Sequence, residues 1–117
     1  MSFVIKSRVW IERDNKVFLG EGRIRLLKSI ERTESLSKSA KELKMSYKKA
    51  WNLIDSVNKN AKKPVVEKST GGSGGGGTVL TTYGKDLVRV FDSINENCWK
   101  HLDKQIEKYK VILENKE

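Results

Sequence analysis

The sequence predicts a mainly α-helical chain with two β-hairpins and a long C-terminal helix, and three observations lead there. Short alternating apolar runs, bounded by turn residues, stand at 3–19 and at 65–80. Between them lie three helical periods, the last two parted only at Lys44-Met45. After Thr82 one apolar stripe continues for about thirty residues, roughly 45 Å of helix. The order β-β-α-α-α-β-β-α, with helix, tight turn, helix and then hairpin, is the plan of a winged helix-turn-helix.

In the first hairpin, Phe3, Ile5, Val9 and Ile11 share one strand face, and Lys6, Arg8, Trp10 and Glu12 the other. Asp14-Asn15 is the turn, and Lys16 to Leu19 returns as the partner. From Gly22 the period changes. Ile24, Leu27 and Ile30, with Leu26 beside them, form the apolar side of a helix to about Thr33. Ser35 or Ser37 caps a short helix through Leu43, and Ser46 caps another to about Asn60. Pro64 ends that run. "PVVEKS" and "TVLT" pair as a second hairpin with the glycines at its tip, and Thr81 or Thr82 caps the final helix. The division expected is 1–81 for the hairpins and helix-turn-helix, and 82–117 for a helix that pairs two chains.

The totals bound the function. A chain of 117 residues with 37% hydrophobic and 33% charged residues makes one modest core. A net charge of +9 points to a polyanionic partner, nucleic acid or an anionic membrane. No apolar run is long enough to span a bilayer, and "MSFVIKSRVW" lacks a signal-peptide core. A single cysteine, Cys98, allows no internal disulfide. A cytoplasmic, nucleoid-associated protein is expected. The charge is concentrated: residues 36–70 carry nine basic and three acidic side chains, while 71–117 carry seven of each.

In a helix-turn-helix the first helix braces the second, which enters the major groove. Ala40 supplies the small residue for close helix crossing, and Leu43 and Met45 the apolar pair around the turn. On the second helix Tyr47, Ala50, Ile54 and Val57 fall on one side, with Trp51 and Leu53 flanking. Lys48, Asn52, Asp55 and Lys59 lie opposite, with Lys49 and Ser56 at the edges. That face combines charge for phosphate with an amide for a base edge. For Tyr47 and Trp51 packing is the plainer reading, and Asp55 is expected to pair with a lysine. The DNA-binding set expected is Ser37, Lys38, Ser46, Tyr47, Lys48, Lys49, Asn52 and Lys59, with Lys68, Gly72, Ser73 and Gly74 from the wing. The turn often holds a left-handed glycine. Here it is Lys44, which either accepts strain of about 1 kcal/mol or turns differently.

"STGGSGGGGT" fails as a phosphate loop, because no Gly-Lys-Ser/Thr leads into a helix. Its composition also suits a flexible linker. The β-branched flanks Val65-Val66 and Thr78-Val79 make it a hairpin tip instead, where glycines let backbone N–H groups approach phosphates.

The run "GRIRLLKSIERTESLSKSAKELKMSYKKAWNLIDSVNKNAKKPVVEKSTGGSGGGGTVLTTYGKDLV" resembles the N-terminal DNA-binding domain of the ModE family, molybdate-responsive transcription regulators with a LysR-type helix-turn-helix. "MSYKKAWNLIDSVN", "PVVEKSTGGSGGGGTVLT" and the following "YG" are its most specific pieces. The resemblance implies that the glycine run is native wing and that the last helix helps build a dimer. Glu34 and Lys44 depart from it, at positions where the family usually shows glycine. Family members of full length carry β-barrel modules for molybdate after this domain. A chain ending at Glu117 leaves no room for them, so it is either a short stand-alone member or a fragment, and molybdate sensing is not carried over.

No catalytic constellation is legible, so an enzyme is not expected. Cys98 and His101 stand three apart, too few ligands for zinc. No cofactor is expected. The stripe Leu87, Phe91, Ile94, Cys98, Leu102, Ile106, Tyr109 and Leu113 outruns one small domain, and from Phe91 to Leu113 it is the expected homodimer interface. The leading expectation is a homodimeric, sequence-specific regulator on an imperfect palindrome of double-stranded DNA. A sequence-tolerant architectural DNA binder, and an interaction module recruiting a separate sensor or effector protein, are the alternatives.

Overall fold

The computed structural model describes residues 3–69 and 77–115. Two antiparallel hairpins, a cluster of three helices and a long helix follow one another in the predicted order: β1 (Ile11–Arg13), β2 (Lys16–Leu19), α1 (Glu21–Thr33), α2 (Leu36–Glu42), α3 (Tyr47–Asn60), β3 (Val66–Ser69), β4 (Gly77–Leu80), α4 (Thr82–Lys108) and a short α5 (Lys110–Glu114). This is a winged helix-turn-helix with a long C-terminal helix.

Local chemistry sets each boundary. Asp14 and Asn15 both take positive φ (51° and 65°), the pattern of a two-residue turn whose twist suits a hairpin. The register then slips between Ile11 and Glu12, a bulge that bends the short ribbon. Ser35 caps α2 by accepting from Lys38 N (3.1 Å), Ser46 caps α3 by accepting from Lys49 N (3.0 Å), and Thr81 caps α4 by accepting from Gly84 N (2.9 Å). Of the paired serine and threonine candidates, the residue nearer the N-terminus is the cap in each case.

The two departures from the family's glycines fall where the backbone is left-handed. Glu34 has φ 54° and Lys44 φ 56°. Lys44 therefore accepts the strain, about 1–2 kcal/mol for a residue with a Cβ, and the tight α2–α3 turn is kept. Glu34 ends α1 with its N–H bonded to Ile30 O, and its own carbonyl accepts from Thr78 N (3.1 Å), joining the helix end to β4.

One core holds these elements. Leu19 of β2, Leu26, Leu27 and Ile30 of α1, Ala50 and Val57 of α3, Val65 before β3 and Phe91 of α4 are all buried within it. Ala40 is buried in α2, with Leu43 and Met45 half-buried around the turn. Gly84 is required by contact: a Cβ there would stand 2.2 Å from Val65 O. The first turn of α4 thereby lies directly on the chain entering β3.

Two expectations are corrected. The first strand is only three residues long, because residues 3–10 have no ladder partner among the described residues. Their alternation survives as packing: Ile5, Ser7 and Val9 are half-buried while their neighbours are exposed. Ser7 Oγ lies 3.8 Å from Cys98 Sγ, and Phe3 shares a hollow with Ile106 and Leu113. The segment therefore runs along α4 and covers part of its stripe. The final helix is also interrupted, at Tyr109 (φ −102°, ψ 10°), and does not run on unbroken.

Candidate nucleic-acid interface

The geometry of α3 follows from what surrounds it. Ala50, Ile54 and Val57 face the core. At its C-terminal end, Arg13 of β1 donates to Asn60 O (2.6 Å), a cation where the helix dipole is negative. On one flank Arg23 of α1 donates to Ser56 Oγ (3.3 Å). On the other, Asn58 fastens the wing: its Oδ1 accepts from Val65 N (2.9 Å) and Val66 N (3.1 Å), and its Nδ2 donates to Val66 O (2.9 Å). Three bonds from one amide leave the β3 backbone little freedom relative to α3.

The outward side of α3 carries Lys48, Lys49, Asn52 and Lys59, all exposed. Asp55 pairs with Lys59 (2.8 Å), which offsets its repulsion for a polyanion but draws on that lysine's charge. Ser46 lies at the N-terminus of α3, and Ser37 and Lys38 are exposed on α2. Lys68 is exposed on β3. Gly72, Ser73 and Gly74 lie outside the described residues. Two concavities flank the outward side. An open hollow of about 410 Å³ brings Arg23 together with Ser46, Lys48, Lys49 and Asn52. The Arg23 Nε has no hydrogen-bond partner among the described residues. A cleft of about 210 Å³ separates α3 from the wing, walled by Tyr47 and Trp51 on the helix and by Glu67, Lys68 and Thr78 on the strands.

Trp51 is the clearest correction. The packing reading fails, because Trp51 is 49% exposed and Tyr47 56% exposed. Their positions lie on the shoulder of α3 toward the wing, and the core is filled by Ala50 and Ile54 without them. Arg23 and Asn58 were missed in the sequence. Arg23 is one of several basic residues in α1, and nothing local marks it. Asn58 stands four residues after Ile54, a polar residue continuing an apolar side, and that was an available signal.

The expected interface stripe divides. Phe91 is 2% exposed and belongs to the protomer's own core, so it offers no surface to a partner. Cys98, Leu102 and Ile106 are half-buried, while Ile94, Tyr109 and Leu113 are exposed. Val90, Val111 and Ile112, which lie off the counted stripe, are exposed too. His101 is exposed.

Helix, tight turn, capped basic helix and wing define a winged helix-turn-helix protein. No family profile matches the chain. It is 42% identical over 82 residues to "Transcriptional regulator ModE" of Haemophilus influenzae, covering 70% of this chain and 32% of that protein. It is 38% identical over 106 residues to "Molybdenum transport protein ModE" of Azotobacter vinelandii, covering 91% and 39%. It is 40% identical over 93 residues to "DNA-binding transcriptional dual regulator ModE" of Escherichia coli K12, covering 80% and 36%. The chain thus spans about a third of the length of these relatives, 32–39%. Over that matched length it is similar to transcriptional regulators named ModE.

Proposed function

We propose that this chain is a double-stranded-DNA-binding transcriptional regulator that reads sequence through α3 and acts as a homodimer. The observation that carries the reading is the outward side of α3. Its exposed lysines and one exposed amide are held rigidly between a basic hollow and a wing, with no other protein element over them among the described residues. Lys48, Lys49, Arg23 and Lys38 suit phosphate oxygens, and Asn52 suits a base edge, most favourably adenine. The relatives named as transcriptional regulators support the same assignment.

The homodimer is supported by the apolar side chains left outside the core on the last two helices. Ile94 in the middle of α4, Tyr109 at its end, and Val111, Ile112 and Leu113 of α5 are exposed. Pairing two copies there would bury them, and a two-fold axis would present two α3 helices to one side of a duplex. The preferred site is then an imperfect palindrome with half-sites about one helical turn, or a small multiple of it, apart. Nuclease footprinting on genomic fragments, in an excess of unrelated competitor DNA, tests this. A bounded footprint with two related half-sites supports it; protection that spreads along every fragment would instead indicate an architectural binder.

A further inference from the structure

The cleft between α3 and the wing is not accounted for by phosphate contacts, and it holds the largest exposed apolar groups near the basic face. Tyr47 and Trp51 are one helical turn apart, so their rings stand on one side of α3, both bordering the cleft. Two carboxylates, Asp55 and Glu67, share that lining, against Lys68 as its cation. A phosphate strand would meet Glu67 and the Asp55–Lys59 ion pair there, whereas the hollow on the opposite flank gathers Arg23, Lys48 and Lys49. The two flanks are chemically different, one for anions and one for an uncharged apolar group. On base edges in the major groove that apolar group is the C5-methyl of thymine.

We propose that Trp51, supported by Tyr47, is a specificity-determining residue that reads a thymine methyl at the edge of the major groove. This rests on the DNA-reading assignment of α3 above. Trp51 lies on the second turn of that helix, near the N-terminal end that reaches base edges in helix-turn-helix proteins. Its ring needs no rearrangement to make the contact, being already half outside the fold. The wing side of the cleft, through Thr78 and Lys68, fixes how deep the base edge enters.

The test uses the full chain and duplexes recovered from a random pool by binding to it. Each thymine of the recovered site is replaced in turn by uracil, which removes only the methyl group. The parent protein is expected to lose about fourfold in affinity at one thymine per half-site, the worth of one buried methyl. Trp51→Ala is expected to bind thymine and uracil duplexes alike at that position, and Trp51→Phe to keep part of the difference. Tyr47→Ala is expected to reduce it. A role confined to packing the wing would weaken both duplexes equally and leave the ratio unchanged, which overturns the proposal. A parent protein indifferent to every thymine-to-uracil exchange also overturns it, while leaving α3 as the reader. Failure of the parent to recover any preferred duplex would overturn both.

Discussion

Asn58 and Val66 are joined by a reciprocal pair of hydrogen bonds, Nδ2 to the carbonyl and the amide N–H to Oδ1, at 2.9 and 3.1 Å. Together with the bond from Val65 N, this lets one helix side chain satisfy the backbone where β3 begins. Asn58→Ala would leave those groups of two buried residues unpaired, at a cost of about 1–3 kcal/mol. Urea unfolding is expected to show that loss. DNA affinity should fall further than stability alone explains, because the wing is no longer held against α3. An unchanged unfolding midpoint would mean that the backbone is satisfied in another way.

Gly84 meets Val65 O so closely that even a methyl group has no room. Gly84→Ala is expected to destabilise the fold by about 1–3 kcal/mol, as overpacking does, despite alanine's better helix propensity. Thermal denaturation checks it. A raised melting temperature would show that α4 can move off β3 freely.

Glu42 joins α1 to α2. Its carboxylate accepts from Ser29 Oγ (2.7 Å) and from the Arg32 guanidinium. The Ser29 hydrogen bond first, and then Arg32, hold its pKa below the ordinary glutamate value. A depressed carboxylate stabilises the fold above the unfolded-state pKa and ceases to do so as pH falls through the folded-state value. Glu42→Gln is therefore expected to be less stable than the parent at neutral pH, with the gap closing in acid. A gap that stays constant down to strongly acidic pH would show that the charge is not what matters.

Much of this architecture is legible in the sequence because local chemistry marks it. The serine and threonine caps, the Asp14-Asn15 turn and the break before Met45 each announce a boundary on their own. Trp51 was misread because helical periodicity says which side a residue occupies, not where the core ends. The described strands of the wing leave that shoulder open, a fact of tertiary packing. Phe91 shows the converse. Its place in the stripe is legible, but whether the stripe is covered by the chain itself or by a partner depends on where α1 and the N-terminal segment lie. Arg23 reaches α3 only through the crossing of two helices distant in sequence.

The pairing surface makes its own prediction. Ile94 (43% exposed) and Tyr109 contribute little to the protomer's core. Replacing both with glutamate is expected to leave circular dichroism unchanged and to convert dimers to monomers in sedimentation. Binding to a two-half-site duplex should weaken far more than binding to a single half-site. A parent protein that sediments as a monomer at micromolar concentration would contradict the pairing.

Contact between the outward side of α3 and DNA is tested most directly by the salt dependence of binding. Affinity for the preferred duplex is measured across ionic strength for the parent and for Lys48→Ala, Lys49→Ala and Asn52→Ala. Each lysine loss is expected to weaken binding to all sequences and to flatten the log–log salt slope by about 0.9 for every phosphate contact removed in one protomer. Asn52→Ala is expected to leave the slope alone and to relax preference at one base pair, worth about 1–3 kcal/mol. If all three variants are folded and match the parent in affinity, slope and preference, α3 does not face the DNA.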